Sequence, residues 1–493
     1  MGDAPPMSER ESQGGCRAGA SRVFLTCWLL YTVFWTPWIV REHFPAIALA
    51  ESGHLNVERY LGWTEDIFQG PRGGAYINNN PGASLTGAIP LLLLRPILSR
   101  VDEWNQRLPR RPHQGQDDPI MVRMAAEGRT FYFLLVAFIT VAFVMAPLTA
   151  LAVAYLCVRA RNAGLSAAHA ASVSLLTGFG TPLFFRTSHL NHNLLAGDAG
   201  FIALLLLWDP EDKSLSPPRA SLAGLLSGYA VLCDYSGLVI AGVTALYVWM
   251  RSHGDSRRRW RCAIAFLAGM TPGIAALLIY QQWAFGSLYL PSQHYMTPKV
   301  VTAIGYRGFG WPSPALLWAN FFDPRFGLFP YFPALLLASL APFVARACRR
   351  LPSREMVVIL IYCVLLVLFC AANQYSWLQP LTGFRYLIPI VPVLALVAIQ
   401  GAQLFPRMVQ WGIAMASLMW SMILTGAHVN DVRQAAQVFW NRRFALPWML
   451  RLREAGVPVG PGWVLATYAV TVLAIACIWA GPVTRWWHPA KVD

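Results

Sequence analysis

Apolar runs and short polar breaks alternate from one end of the chain to the other. The runs lie near 23–40, 130–158, 163–183, 190–208, 220–235, 237–250, 261–283, 327–347, 355–372, 384–402, 407–426 and 463–483. A run of about 18 residues or more is long enough to cross a bilayer as a helix. The pattern predicts an all-α polytopic membrane protein with no sizeable soluble domain. Arg17 and Arg22 precede the first run. That run exceeds a signal-peptide core of about 7–15 residues, and the nearest cleavage-like triplet, Ala48-Leu49-Ala50, lies well beyond its end. It reads as an uncleaved first span.

The longest early break is 56–96. It holds Glu58, Glu65 and Asp66, passes through Gly73-Gly74 and Asn78-Asn79-Asn80-Pro81-Gly82, and enters a short apolar helix. Polar chain beside a membrane is costly unless it faces water or lines a cavity. This stretch is therefore the expected working part.

Composition agrees with the pattern. Of 493 residues 56% are hydrophobic and 13% charged, against roughly a quarter charged in soluble domains. Nine cysteines are scattered without a Cys-x-x-Cys pair, so no disulfide framework is expected. The net charge of +15 does not point to nucleic acid. Its arginines fall in bursts between apolar runs, at Arg159/Arg161, at Arg251/Arg257/Arg258/Arg259/Arg261 and at Arg346/Arg349/Arg350/Arg354. Such bursts mark cytoplasmic connectors.

Charge parity then sets the topology. With Arg10, Arg17 and Arg22 inside, a crossing at 83–98 would put every later burst outside. The segment 83–98 is therefore expected to lie on the outer leaflet as a juxtamembrane helix. About 12 crossings follow, with both termini inside. The expected organisation is a tail at 1–22, a transmembrane module at 23–400 and further helices at 401–493. Outer loops fall at 41–129 and 284–326, with outer turns at 184–193, Asp234-Tyr235, 373–386 and 428–461. Nearly all residues with chemical potential sit on that outer side.

Five segments, in order, carry a family resemblance. They are Thr64-Glu65-Asp66 with Tyr76-Ile77-Asn78-Asn79-Asn80-Pro81-Gly82; Gly178-Phe179-Gly180-Thr181 to His192; Gly228 to Asp234-Tyr235; Phe322-Asp323-Pro324-Arg325-Phe326-Gly327; and Gly383-Phe384-Arg385-Tyr386-Leu387. Across about 20–400 the chain resembles bacterial GT-C type membrane glycosyltransferases, relatives of the dolichyl-phosphate-mannose protein mannosyltransferases. The resemblance implies sugar transfer from a polyprenyl-phosphate donor to an acceptor at the outer face of the bacterial inner membrane. It does not specify the sugar or the acceptor. It implies an acid of the first outer loop as general base, with Asp66 the matching residue and Glu65 and Glu58 in reserve. A carboxylate held partly out of water suits removal of the acceptor proton, and the leaving phosphate needs cationic or N–H partners. The resemblance places Arg385 and Tyr386 at the donor. An Arg fork suits phosphate oxygens.

The chain departs from the family at the turn, where Asn79 stands in place of a common Lys. Arg72 is the nearby cation that could replace it. The plain reading of the three asparagines is a turn that caps the next helix. His189 and His192, three residues apart, would share a helix face and with a carboxylate could bind a divalent metal; polar packing at a cavity rim is the reading favoured here, and no cofactor is expected. His192, Asp234 and Tyr235 are expected to face the cavity. Trp283, Tyr289, His294, Tyr295, Tyr306 and Trp311 fit the membrane interface. The competing functional class is a polytopic transporter or lipid flippase, which should show internal repeats and broken charged helices near mid-membrane. No clear repeat is present.

Overall fold

The computed structural model describes residues 7–110, 119–209, 214–252, 255–296, 300–344, 351–378, 385–429 and 431–480, with side chains from residue 18 onward apart from 301–302. Arg346, Arg349, Arg350, Gly383 and Phe384 lie outside the described residues, as do the side chains of Arg10 and Arg17.

The chain is a helical bundle. Among the described residues five helices are long and apolar enough to cross a membrane: Thr130–Asn162, Ser256–Phe285, Ser353–Ala372, Arg407–Ala427 and Pro461–Ala480. Shorter apolar helices follow the remaining runs, including Ala18–Val33, Ala167–Phe179, His192–Leu207, Gly237–Arg251 and Ile388–Ala402. The expected 327–347 span is a correction. It is broken into Leu328–Tyr331, Pro333–Leu336 and Leu337–Phe343, because Pro330, Pro333 and Pro342 remove donors and clash with the preceding turn.

The first run also ends early. Its helix stops at Val33, and Pro37 disfavours helix at the residue before it. Residues 34–42 continue as irregular chain, with the Thr36 N–H and hydroxyl both donating to Ser188 O at 2.8 and 3.0 Å. This brings Arg41 and Glu42 under the turn that precedes His192.

The expected 83–98 helix is two helices, Gly82–Leu93 and Arg95–Gln106, bent by 81°. Pro96 sits in the first turn of the second, where it starts a helix but cannot continue one. The pair is not one straight span. Upstream, Ile67–Gln69 and Ala75–Ile77 form an antiparallel hairpin with Phe68 opposite Tyr76. Its turn uses Gly73 and Gly74 at φ +84° and +74°, a conformation glycine adopts without strain. The sequence pattern had not suggested these strands.

Two helices, one of which leads into the site, lock together through glycine. A Cβ on Gly224 would lie 2.0 Å from Phe266 O, and one on Gly228 would lie 2.4 Å from Met270 O. Gly269 and Gly273 meet Ser221 O and Gly228 C at 2.0 and 2.3 Å in the same way. The Pro217–Cys233 and Ser256–Phe285 helices thus approach backbone to backbone, the small-xxx-small packing of membrane helices. The C-terminal segment is part of the same body. Trp448 Nε1 donates to Val33 O at 3.0 Å, and Ser421 Oγ to Thr181 O at 3.0 Å.

Candidate functional site

The site forms where four stretches meet at one end of the bundle: the 34–42 connector, the first long loop, the start of His192–Leu207 and the end of Pro217–Cys233. Each asparagine of the triple takes a different partner. Asn78 Nδ2 donates to Asp66 Oδ1 at 3.1 Å. Asn79 Nδ2 donates to Glu42 Oε1 and lies 3.1 Å from His192 Nδ1. Asn80 Nδ2 donates to Val231 O at 2.9 Å. None caps the next helix, whose N-cap, Pro81, makes no side-chain bond, so the capping expectation fails. A Cβ on Gly82 would sit 2.7 Å from Cys233 N. The turn therefore docks flush against the backbone beside Asp234.

Glu42 is the hub. It is 3% exposed, and its Oε1 lies 2.5 Å from His192 Nδ1 and 3.6 Å from Arg41 Nε. Ser84 Oγ fixes its backbone by donating to Glu42 O at 2.8 Å. Burial by itself would raise the Glu42 carboxyl, but His192 and Arg41 outweigh it and hold Glu42 well below the ordinary carboxylate range. On its other edge His192 Nε2 lies 3.5 Å from Asp234 Oδ2. Arg41, 12% exposed, closes the group by ion-pairing Asp66 Oδ2. The result is a linked chain of ionisable groups, Asp66–Arg41–Glu42–His192–Asp234. Asp66 and Asp234 are its more open ends, at 27% and 19%.

Of the residues singled out in the sequence, Asp66, Asn79, His192 and Asp234 come together here. Glu65 and Glu58 are exposed. Arg72 is not at the turn. It is exposed and donates to Gln282 O at 2.8 Å, bracing the end of Ser256–Phe285. Tyr235 turns the same way, its hydroxyl accepting from Gln281 Nε2 at 2.7 Å. Tyr386 lies near Arg41, and Arg385 stands over the Tyr386 ring, 4.9 Å from its centroid. His189 does not join His192. It packs among Trp38, Phe185 and His428, and among the described residues no group of three or more His, Cys, Asp or Glu could hold a metal ion. The 284–326 loop reaches the site through Ser292 Oγ and Gln293 Nε2, both donating to Asn78 O at 2.8 Å. Its Tyr289 and Trp311 are exposed, at 87% and 92%.

Arg41 and Glu42 were not singled out in the sequence. The signal was an adjacent Arg-Glu at the end of an apolar run.

The far end of the same helices is different. His192–Leu207 has 16 residues, so its other end is about 24 Å away. There Asp209 pairs with Arg219 at 3.3 Å, buried Arg251 donates to Leu207 O at 3.0 Å, and Arg354 pairs with Glu355 at 2.8 Å. The basic connectors and the acid-rich cluster thus occupy opposite ends.

No protein-family model matches the sequence, and no curated protein matches it. Among solved structures the fold is similar to the archaeal oligosaccharyltransferase AglB from Archaeoglobus fulgidus, determined with an inhibitory peptide and a dolichol-phosphate. The identity is 12% and the TM-score 0.42, over 90% of this chain. The chain spans 60% of the length of that structure. With a likeness of that size, the functional reading rests on the cluster around Glu42.

Proposed function

We propose that the chain is a GT-C type membrane glycosyltransferase. It moves a sugar from a polyprenyl-phosphate donor to an acceptor at the outer face of the bacterial inner membrane, with residues 23–400 as the transfer module. One observation carries the reading: acids, an imidazole, an amide and a half-buried Arg from four separate stretches converge at the bundle end remote from the basic connectors.

The chemistry of transfer needs a base for the acceptor hydroxyl and a cation for the phosphate that leaves. Asp66 is the proposed base. It is half-buried and oriented by Asn78. Glu42, His192 and Asp234 form the polar wall beside it, Asn79 locks that wall to the loop, and Arg385 and Tyr386 stand at the proposed donor side. A transport reading would build on Asp198, a buried carboxylate within His192–Leu207 that accepts from Thr149 Oγ1 at 2.7 Å. Analysis of lipid-linked sugars and surface glycans with and without the protein tests the proposal. Deletion should build up a sugar-loaded polyprenyl phosphate and remove one glycan modification. Unchanged pools of both would refute it.

A further inference from the structure

The cation nearest the proposed base is Arg41. Its side chain is 12% exposed and touches two carboxylates, Asp66 through Nη1 and Glu42 through Nε at 3.6 Å. A guanidinium has five donors in a planar fork, so it can face one acid permanently while exchanging another partner. Glu42 is the permanent side, being buried and held by Asn79 and His192 as well. Asp66 is the open side, at 27% exposure.

We infer that Arg41 binds the phosphate of the lipid donor, and that it does so by releasing Asp66. The inference rests on the glycosyltransferase reading. It moves the phosphate contact from Arg385, which stands over Tyr386, to Arg41. It also couples the two halves of the reaction. A carboxylate held against a guanidinium, as Asp66 is against Arg41, is a weaker base than one without that cation. When a phosphodiester takes the cation, Asp66 loses its cationic partner, keeps Asn78, and gains proton affinity. The base is thus strengthened when the donor is in place. In the transfer step the acceptor oxygen bonds to the anomeric carbon and its proton passes to Asp66. The bond from that carbon to the phosphate oxygen breaks, and the electron pair leaves with the phosphate. The donor phosphodiester carries one negative charge and the departing monoester two, so a cation there interacts more strongly as the bond breaks.

Because Asp66 and phosphate compete for one guanidinium, their effects must oppose each other, a linkage that a purely structural role would not produce. The test measures binding of polyprenyl phosphate to the full-length protein in nanodiscs of zwitterionic lipid, with unphosphorylated polyprenol as control. Arg41→Gln should weaken phosphate binding about 10–100-fold, the worth of a charge-assisted contact, and Arg41→Lys should weaken it less. Asp66→Asn should tighten it several-fold, and the double variant should match Arg41→Gln. The control alcohol should not respond to any of these changes. Unchanged affinity in Arg41→Gln overturns the inference. Weakening by Asp66→Asn does the same, and that variant decides the matter even where Arg41→Gln folds poorly. Loss confined to Arg385→Gln would return the phosphate to Arg385. Failure of the unsubstituted protein to prefer the phosphate over the alcohol would instead remove the glycosyltransferase reading itself.

Discussion

Glu42→Gln should destabilise the protein by about 3 kcal/mol, at the lower edge of the range for breaking a buried ion pair. The substitution preserves volume, so no cavity term enters. What is lost is the negative charge that Asn79, His192 and Arg41 all face. The two ionisable partners are not left alone: Arg41 keeps Asp66 and His192 keeps Asp234 at 3.5 Å. That places the cost near 3 rather than 5 kcal/mol. Glu65→Gln, at an exposed position, should change stability by no more than about 1 kcal/mol, the ceiling for an exposed charged contact. The Glu42 effect is also pH-dependent. Its carboxyl is held below the ordinary range in the folded protein, so its stabilisation is complete above the unfolded value of about 4.3 and is lost as pH falls below it. The stability gap between the unsubstituted protein and Glu42→Gln should therefore be full at neutral pH and narrow in acid. Thermal unfolding in detergent across pH reads both effects. A Glu42→Gln variant as stable as Glu65→Gln at neutral pH would refute the reasoning.

Three other outcomes are expected. Asp66→Asn should lower transfer by about 10²–10⁴ while the protein elutes and melts as a folded species; full turnover there, with Glu65→Gln inactive, would move the base next door. Gly228→Ala should destabilise by about 1–3 kcal/mol, since its Cβ would meet Met270 O at 2.4 Å; a neutral effect on detergent melting would contradict the close crossing. In a background freed of native cysteines, single cysteines at Glu103 and Trp311 should label from outside and one at Arg257 should not; labelling of Glu103→Cys only from inside would sink the proposed orientation.

Much of the fold was legible because a bilayer demands long apolar helices and little else. Runs such as 355–372 and 407–426 match their helices closely. The 327–347 run misled because hydropathy does not register the three prolines that break it. Within the site, Asp66, Asn79, His192 and Asp234 were legible from ordered motifs. Arg41 and Glu42 were not, because a charged pair at the end of a span looks like any interfacial pair. Only the tertiary path of 34–42, hydrogen-bonded to Ser188, turns it inward. Arg72 was placed by nearness in sequence and Tyr235 by its motif, yet both side chains are captured by the end of the Ser256–Phe285 helix.

The proposed transfer of sugar from a lipid phosphate at the Glu42–Asp66 cluster has one direct assay. It is tested most directly by reconstituting the purified protein in liposomes with a sugar-loaded polyprenyl phosphate and a soluble acceptor extract, and following free polyprenyl phosphate by mass spectrometry. Polyprenyl phosphate should appear with time, and Asp66→Asn should slow its release by about 10²–10⁴. Passage of intact lipid-linked sugar across the bilayer, with no polyprenyl phosphate released, would contradict it.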